Sequence, residues 1–380
     1  MKKKTLLLLT DWFVPGFRAG GPIRSSVNFA YAMCDHYRVY VLTGDRDLGD
    51  SIPYPGVQAG QWTDFDEGIR VFYLPQEQAS YGELKAIIRD LNPEFLYLNS
   101  MYSKVFAIFP LLLRWRRQIP GEIVLAPRGM LNPSALRFKS LKKRVFLSLV
   151  RIFGLARKIR WHATNREEAQ AIRAVFPLAH IGVAPNFPNL TQTEFRSMQK
   201  EPGTVRLFYL SRILPIKNLL SLLRALQKVA VRVDLTIAGP IEDQSYWQQC
   251  LQLAKSFSQN IRIVICGELH YRQIPQLLHN HHFFVLPTLG ENFGHAIFEA
   301  FLAGRPVIIS DRTPWRNLSA EGIGWDLPLE QPDRWVETIG KAAALDQEKF
   351  DQMAHRAWEF AAHFLASQEE LKEKYFELFS

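Results

Sequence analysis

Cysteine is scarce in this chain, and apolar runs of membrane-spanning length are missing from it. The three cysteines, Cys34, Cys250 and Cys266, are scattered, odd in number and form no C-x-x-C pair. This excludes a disulfide framework and a structural zinc, and points to a reducing compartment. No run approaches the roughly 20 apolar residues needed to cross a bilayer. The opening Met1-Lys-Lys-Lys-Thr-Leu-Leu-Leu-Leu resembles the start of a signal peptide. Its apolar run stops at Asp11 with no small-residue cleavage site, so it reads as a first buried strand of a cytoplasmic protein. There is no G-x-S-x-G, no P-loop, no complete G-x-G-x-x-G, no internal repeat and no low-complexity tract.

What is present is a chain of 380 residues, 47% apolar and 22% charged, long enough for two globular domains. The net charge of +9 is unevenly placed. Residues 1–190 hold 26 Lys/Arg against 15 Asp/Glu, whereas residues 191–380 hold 20 against 22. A basic surface on the first half, meeting something acidic, is the expectation.

Short apolar runs alternate with amphipathic stretches. In the first half the runs read as strands over Lys4–Thr10, Arg38–Thr43, Arg70–Leu74, Phe95–Asn99, Glu122–Ala126 and Arg160–Ala163. Helices are expected around Ser25–Met33, Glu83–Leu91 and Ser103–Gln118. Pro185-Asn-Phe-Pro-Asn-Leu-Thr, with Pro202-Gly203 beyond it, reads as a linker. The alternation then restarts, with strands over Val205–Ser211, Asp234–Ala238, Ile261–Cys266, Phe283–Pro287 and Pro306–Ser310. Helices are expected over Asn218–Val229, Tyr246–Ser256, Ile274–His279 and His295–Ala303, and two more in the last 45 residues. This is an α/β pattern of two doubly wound, Rossmann-like domains. The expected division is 1–190, 200–355, and a C-terminal helix within 356–380 that crosses back to the first domain. Ligands in such folds sit at the carboxyl ends of the strands, which places a cleft between facing domains.

The chemistry concentrates in Pro287–Ile309, PTLGENFGHAIFEAFLAGRPVII. A strand end leads through a small-residue turn, Asn292 to His295, into a helix whose free N–H groups can hold an anion. Glu291 and Glu299 bracket that turn. Carboxylates repel phosphate but accept hydrogen bonds from hydroxyls, so phosphate and hydroxyls on one ligand suggest a nucleotide-sugar. Ser211-Arg212-Ile-Leu-Pro-Ile-Lys217-Asn218 follows another strand of the same domain and brings two cations to that edge. Fixed cations stabilise a departing diphosphate.

Arg212 and Lys217, then Ala238-Gly239-Pro240, Cys266-Gly267-Glu-Leu269, Glu291-x₇-Glu299 and Gly304-x-Pro306-Val occur in an order that resembles the retaining glycosyltransferases of family four, with the GT-B fold. The resemblance implies that Arg212 and Lys217 hold the donor diphosphate and that Glu291 accepts from sugar hydroxyls. It places the Asn292, Phe293, Gly294, His295 and Ala296 backbone around sugar and phosphate, and gives the ribose hydroxyls to Glu299. Gly267 and Leu269 would border the base. Ala19-Gly20-Gly21-Pro22 is similar to the family's glycine-rich loop near donor phosphates and acceptor, with Arg24 one turn on. Many relatives carry a donor-touching histidine where this chain has Ala126-Pro-Arg128-Gly129, so Arg128 is taken as an active-site cation. His162, at the next strand end, is a further cleft candidate. Neither metal nor cofactor is required on this reading, because Arg212 and Lys217 supply the positive charge. Asp45-Arg-Asp47, Asp64-Phe-Asp66 and the His279/His281/His282 cluster are set aside as metal sites.

Between Arg137 and Arg160 stand nine Lys/Arg and no Asp/Glu, interleaved with apolar residues at helical spacing. Such a segment suits an anionic membrane, or else packs its apolar face into its own domain. Nucleic acid is not expected, because no reading module accompanies the charge. The expected activity is transfer of a hexose from a nucleotide-diphosphate-sugar to a hydroxyl of a saccharide. That saccharide would be lipid-linked and belong to a cell-surface polysaccharide built at the inner membrane face. A sugar-nucleotide epimerase of the same fold, or a non-catalytic, membrane-peripheral nucleotide-sugar binder, are the alternatives.

Overall fold

The computed structural model describes residues 3–66, 68–132, 136, 140–189 and 194–380. Arg137, Phe138 and Lys139 of the basic segment, Leu190 and Thr191 of the linker, and the first two residues lie outside them. The chain divides into two compact units, 1–187 with 368–380, and 188–367. The long helix Gln347–Ala366 therefore belongs to the second unit, and the return to the first begins at Gln368.

The first unit is built on eight strands: β1 (Thr5–Leu9), β2 (Arg38–Gly44), β3 (Trp62–Asp66), β4 (Ile69–Leu74), β5 (Phe95–Leu98), β6 (Glu122–Leu125), β7 (Arg160–Ala163) and β8 (His180–Val183). Their order in the sheet is β3-β4-β2-β1-β5-β6-β7-β8, all parallel except β3 against β4. Parallel strands buried on both faces read as unbroken apolar runs, and β1 shows why. Leu7 and Leu9 enter one core while Leu6 and Leu8 enter another on the opposite face, as the two-residue period of a strand requires. The closing helix Gln368–Leu378 completes the second of these cores. Tyr375 stacks on Phe187 at 4.4 Å and donates to the Pro185 carbonyl at 3.1 Å. Gly182 of β8 lies so close that a Cβ there would meet Leu378 Cδ2.

The single helix expected over Ser103–Gln118 is two pieces, a π-helical turn at Lys104–Ile108 and an α-helix at Phe109–Trp115. Pro110, in the first turn of the second piece, has no N–H to continue the ladder.

The second unit carries β9 (Thr204–Leu210), β10 (Arg232–Ala238), β11 (Ile261–Gly267), β12 (Phe283–Leu286), β13 (Val307–Ser310) and β14 (Gly324–Leu327). They form one parallel sheet in the order β11-β10-β9-β12-β13-β14. In each sheet the winding reverses once, between β1 and β5 in the first and between β9 and β12 in the second. A reversal of this kind opens a crevice at the carboxyl ends of the two strands. Both units are thus α/β, doubly wound and Rossmann-like.

Candidate functional site

At the reversal of the second sheet, the segments leaving β9 and β12 are tied together. After β9 the chain passes through Ser211 and Arg212 to a short turn at Pro215–Lys217, closed by Asn218 at φ 57°. After β12, the Leu289 N–H donates to the Ile216 carbonyl at 2.8 Å and the Thr288 hydroxyl to the same oxygen at 3.2 Å. Lys217 and Glu291, 74 residues apart, close the junction as an ion pair. The Tyr209 phenol is fully buried, its pKa raised by burial, and it donates to the Lys217 carbonyl at 3.3 Å. It fixes the backbone beneath the lysine.

The end of β10 is pressed against the end of β9. Gly239 stands at φ 130°, and a Cβ on it would lie 2.0 Å from the Ser211 oxygen, so only glycine fits. The Ser211 N–H donates to the Ala238 carbonyl at 3.0 Å, and the Gly239 N–H to the Gly267 carbonyl at 2.7 Å. Three strand ends are stitched into one rim, and Arg212 is held on it by Glu242 at 2.8 Å. Gly267 closes β11 at φ 68° with open space where a Cβ would be. Leu269 beyond it packs partly against the core.

The helix His295–Leu302 starts from Gly294 at φ 78° and has no side-chain cap. A Cβ on Gly294 would press into Ile297 Cδ1 at 2.8 Å. An uncapped helix start presents N–H groups and the positive end of the helix dipole. The turn is gripped from the loop after β13. The Glu291 N–H donates to the Arg312 carbonyl at 3.0 Å, and the Trp315 indole N–H to the Phe293 carbonyl. Trp315 stacks on Phe298 at 5.6 Å, among Phe293, Phe360 and Phe364. Phe293 is buried there, so only its backbone is available to a ligand, whereas Asn292, His295, Ala296 and Glu299 keep partial exposure. Arg212, Lys217, Glu291 and the Gly294 turn therefore share one sheet edge of the second unit.

The first sheet carries a polar floor at its own reversal. Arg128, at φ 55°, donates from Nε to Asn99 Oδ1 at 2.5 Å, from Nη2 to the Tyr97 hydroxyl at 2.8 Å, and from Nη1 to Asn186. Asn99 in turn donates to Ser26 at 2.7 Å, and Ser26 to Thr10 at 3.2 Å. Gly20 caps the helix Gly21–Met33 at φ 63°, a conformation suited to glycine, while Gly21 is its exposed first residue. Arg24, one turn on, is half-buried.

His162 departs from its expected place in a cleft. It is fully buried, with Nδ1 against the Tyr97 hydroxyl at 2.6 Å and Nε2 against the Ala184 carbonyl at 2.7 Å. Burial, helped by Arg128, pulls its pKa down to about 3. With both ring nitrogens engaged inside the core, it cannot touch a ligand.

The sequence did not single out Glu242, Trp315, Asn186 or Asp11 as site residues. Of these, Asp11 had a visible signal, a carboxylate two residues beyond a strand of four buried leucines.

Among the described residues no three His, Cys, Asp or Glu side chains are grouped to hold a metal. The Asp-x-Asp pairs have other partners. Asp45 binds Arg46, Asp47 accepts from the Phe17 and Arg18 N–H groups, Asp64 binds Arg70, and Asp66 accepts from Tyr31. His281 and His282 are each hydrogen-bonded through both ring nitrogens.

Both the architecture and the second unit have known counterparts. The whole chain superposes on sucrose-phosphate synthase from Thermosynechococcus elongatus with a TM-score of 0.72 at 15% identity, covering 99% of each chain. Anabaena HepE in complex with UDP-glucose matches with 0.67 at 17% identity, over 98% of this chain and 100% of that one. WaaG, a glycosyltransferase involved in lipopolysaccharide biosynthesis, matches with 0.68 at 13% identity, over 97% and 98%. The fold is therefore that of the GT-B glycosyltransferases. Residues 191–359 match the family described as Glycosyl transferases group 1, which places the rim around Lys217 and Glu291 inside the matched region. No curated protein sequence matches the chain.

Proposed function

We propose that the protein is a retaining glycosyltransferase, of the hexosyltransferase class, that uses a nucleotide-diphosphate-sugar. The observation carrying this reading is the pairing of Lys217 and Glu291 at the sheet reversal, beside an uncapped helix start and Arg212. A sugar diphosphate carries the matching chemistry: anionic oxygens for Arg212, Lys217 and the helix start, hydroxyls for Glu291 and Glu299. The base lies toward Gly267 and Leu269. The Glycosyl transferases group 1 match and the UDP-glucose held by HepE support the same donor class.

In the reaction, the bond from the anomeric carbon to the diphosphate oxygen breaks. The acceptor oxygen bonds to the same face of that carbon, and the acceptor proton passes to the departing phosphate. Arg212 and Lys217 leave Glu242 and Glu291 to stabilise the charge growing on the diphosphate, which is where fixed cations act most strongly. Arg128 serves on this reading as a fixed cation organising the polar floor of the first unit.

A thermal-shift screen across nucleotide-sugars tests the donor class. One donor should raise the melting temperature progressively as its concentration exceeds its dissociation constant. Anomeric NMR of the transfer product should then show the donor's configuration. No stabilisation by any nucleotide-sugar, or an inverted product, contradicts the proposal. An isomerised nucleotide-sugar formed without acceptor indicates an epimerase instead.

The acceptor we place at an anionic membrane surface, as a lipid-linked saccharide for cell-surface polysaccharide. The support is the helix Ser140–Ile152. It packs inward through Val150 and through Phe146 against Tyr102. It also turns Val145, Leu149 and Ile152 outward, 54%, 43% and 74% exposed, next to the exposed Arg144 and Arg151. An apolar stripe one helical turn apart with basic flanks fits the boundary of a lipid surface. WaaG shows that this fold occurs in lipopolysaccharide biosynthesis. Flotation with phosphatidylglycerol vesicles should recover the protein at low salt and less of it at high salt, and Leu149→Glu with Ile152→Glu should abolish recovery. No binding at either salt, or binding unaffected by the double substitution, overturns the placement.

A further inference from the structure

The reversal of the first sheet holds a carboxylate that the donor chemistry leaves unused. Asp11 stands two residues past the end of β1, beside the end of β5 where Asn99, Ser100 and Ser103 emerge. Its Oδ1 accepts from the Ser103 hydroxyl at 2.6 Å. Its Oδ2 accepts no hydrogen bond among the described residues, and the side chain is only partly exposed. The backbone here is pinned. The Gly44 N–H donates to the Asp11 carbonyl at 3.3 Å, and a Cβ on Gly44 would stand 3.0 Å from that oxygen. Next to it the Thr10 hydroxyl joins the chain Ser26, Asn99, Arg128.

We propose that Asp11 is the acceptor-binding residue of this protein, its Oδ2 accepting a hydrogen bond from a hydroxyl of a saccharide acceptor while Ser103 holds Oδ1. The inference rests on the glycosyltransferase reading and adds to it a residue of the first unit. Two features of the geometry support it. The residue lies at the one sheet reversal of its unit, where doubly wound folds bind ligands. It is also a carboxylate anchored through one oxygen, while the other accepts no hydrogen bond among the described residues. Burial raises its pKa above the ordinary aspartate range, and the Ser103 hydrogen bond opposes that rise. A carboxylate short of partners is one that gains by accepting a hydroxyl. Asp11 has no bond to make or break in the transfer; it binds the acceptor.

The test uses the full chain, the nucleotide-sugar found by thermal shift, and a panel of octyl glucoside, octyl galactoside and octyl N-acetylglucosaminide as acceptors. Asp11→Asn keeps size and removes charge, and should raise the acceptor KM by about 10- to 100-fold, the range of a charged hydrogen bond. The donor KM should stay within about two-fold. Ser103→Ala, which loosens Oδ1, should raise the acceptor KM less and in the same direction, and it keeps the test decisive if Asp11→Asn does not fold. An unchanged acceptor KM in either folded variant overturns the proposal, as does a donor KM that rises in parallel. Wild-type protein that hydrolyses the donor but transfers to none of the three glycosides overturns it as well. Protein that neither hydrolyses nor transfers from any nucleotide-sugar fails the glycosyltransferase reading itself.

Discussion

Lys217→Ala lowers the turnover of sugar transfer by about 10²- to 10³-fold, the loss typical of removing one fixed group that stabilises developing negative charge. The expectation follows from position. Lys217 sits on a turn whose backbone is held by Tyr209 below and by Thr288 and Leu289 alongside, so only its ammonium has to turn from Glu291 to meet a diphosphate. Arg212 is on the same rim but leaves β9 earlier and is paired with Glu242 of the loop after β10, and it cannot take over the lysine's place. Lys217→Arg should recover only part of the rate, because a planar fork does not reproduce a compact ammonium. Glu291→Ala is expected to cost a similar factor for a different reason, the loss of an acceptor for sugar hydroxyls. Steady-state kinetics at saturating donor checks all three substitutions. A Lys217→Ala enzyme with wild-type turnover removes the cation from the reaction.

Gly239→Ala should be among the most destabilising single substitutions in the second unit, costing about 3 kcal/mol or more. The added carbon would stand 2.0 Å from the Ser211 oxygen and 2.7 Å from its carbonyl carbon. Both are backbone atoms, and no side chain can swing aside to make room. The residue's φ of 130° adds strain for any L side chain. To relieve both, the ends of β9 and β10 must separate, breaking the bonds from Ser211 to Ala238 and from Ile213 to Pro240 and displacing Arg212 with them. The urea midpoint of tryptophan fluorescence should therefore fall, and donor affinity should fall with it. A midpoint equal to wild type would mean that the rim is not the tightly stitched structure described.

Strands with two buried neighbours were readable, because burial on both faces leaves an unbroken apolar run, as in Leu6–Leu9 or Phe283–Leu286. Three strands escaped: β3 (WTDFD), β8 (HIGV) and β14 (GWDL). All three lie at the ends of their sheets. An edge strand has one free side and part of its surface in solvent, so polar residues interrupt the pattern. The C-terminal helix was visible from the apolar stripe of Tyr375, Phe376 and Phe379, but its start was not. Nothing local marks Ser367 as the point where the chain leaves one unit for the other.

The candidate site was legible wherever chemistry coincided with a strand end. Arg212, Lys217 and Glu291 could be named because each follows an apolar run by a few residues. Their direct pairing could not, since 74 residues separate Lys217 from Glu291 and only the sheet order brings them together. Trp315 and Glu242 depend on the same tertiary proximity. His162 was misread because a strand end is not always a rim. Here it is enclosed by Tyr97, Ala184 and the aromatic Tyr375 of the returning helix.

The most direct measurement is calorimetric titration of two ligands, the nucleotide-sugar found by thermal shift and its free nucleoside diphosphate, into wild type, Lys217→Ala and Glu291→Ala. Lys217→Ala should weaken both ligands. Glu291→Ala should weaken only the nucleotide-sugar and leave the diphosphate as tight as before or tighter, because it removes the carboxylate that competes for Lys217. Equal affinity of both ligands for all three proteins would contradict a donor site built on this pair.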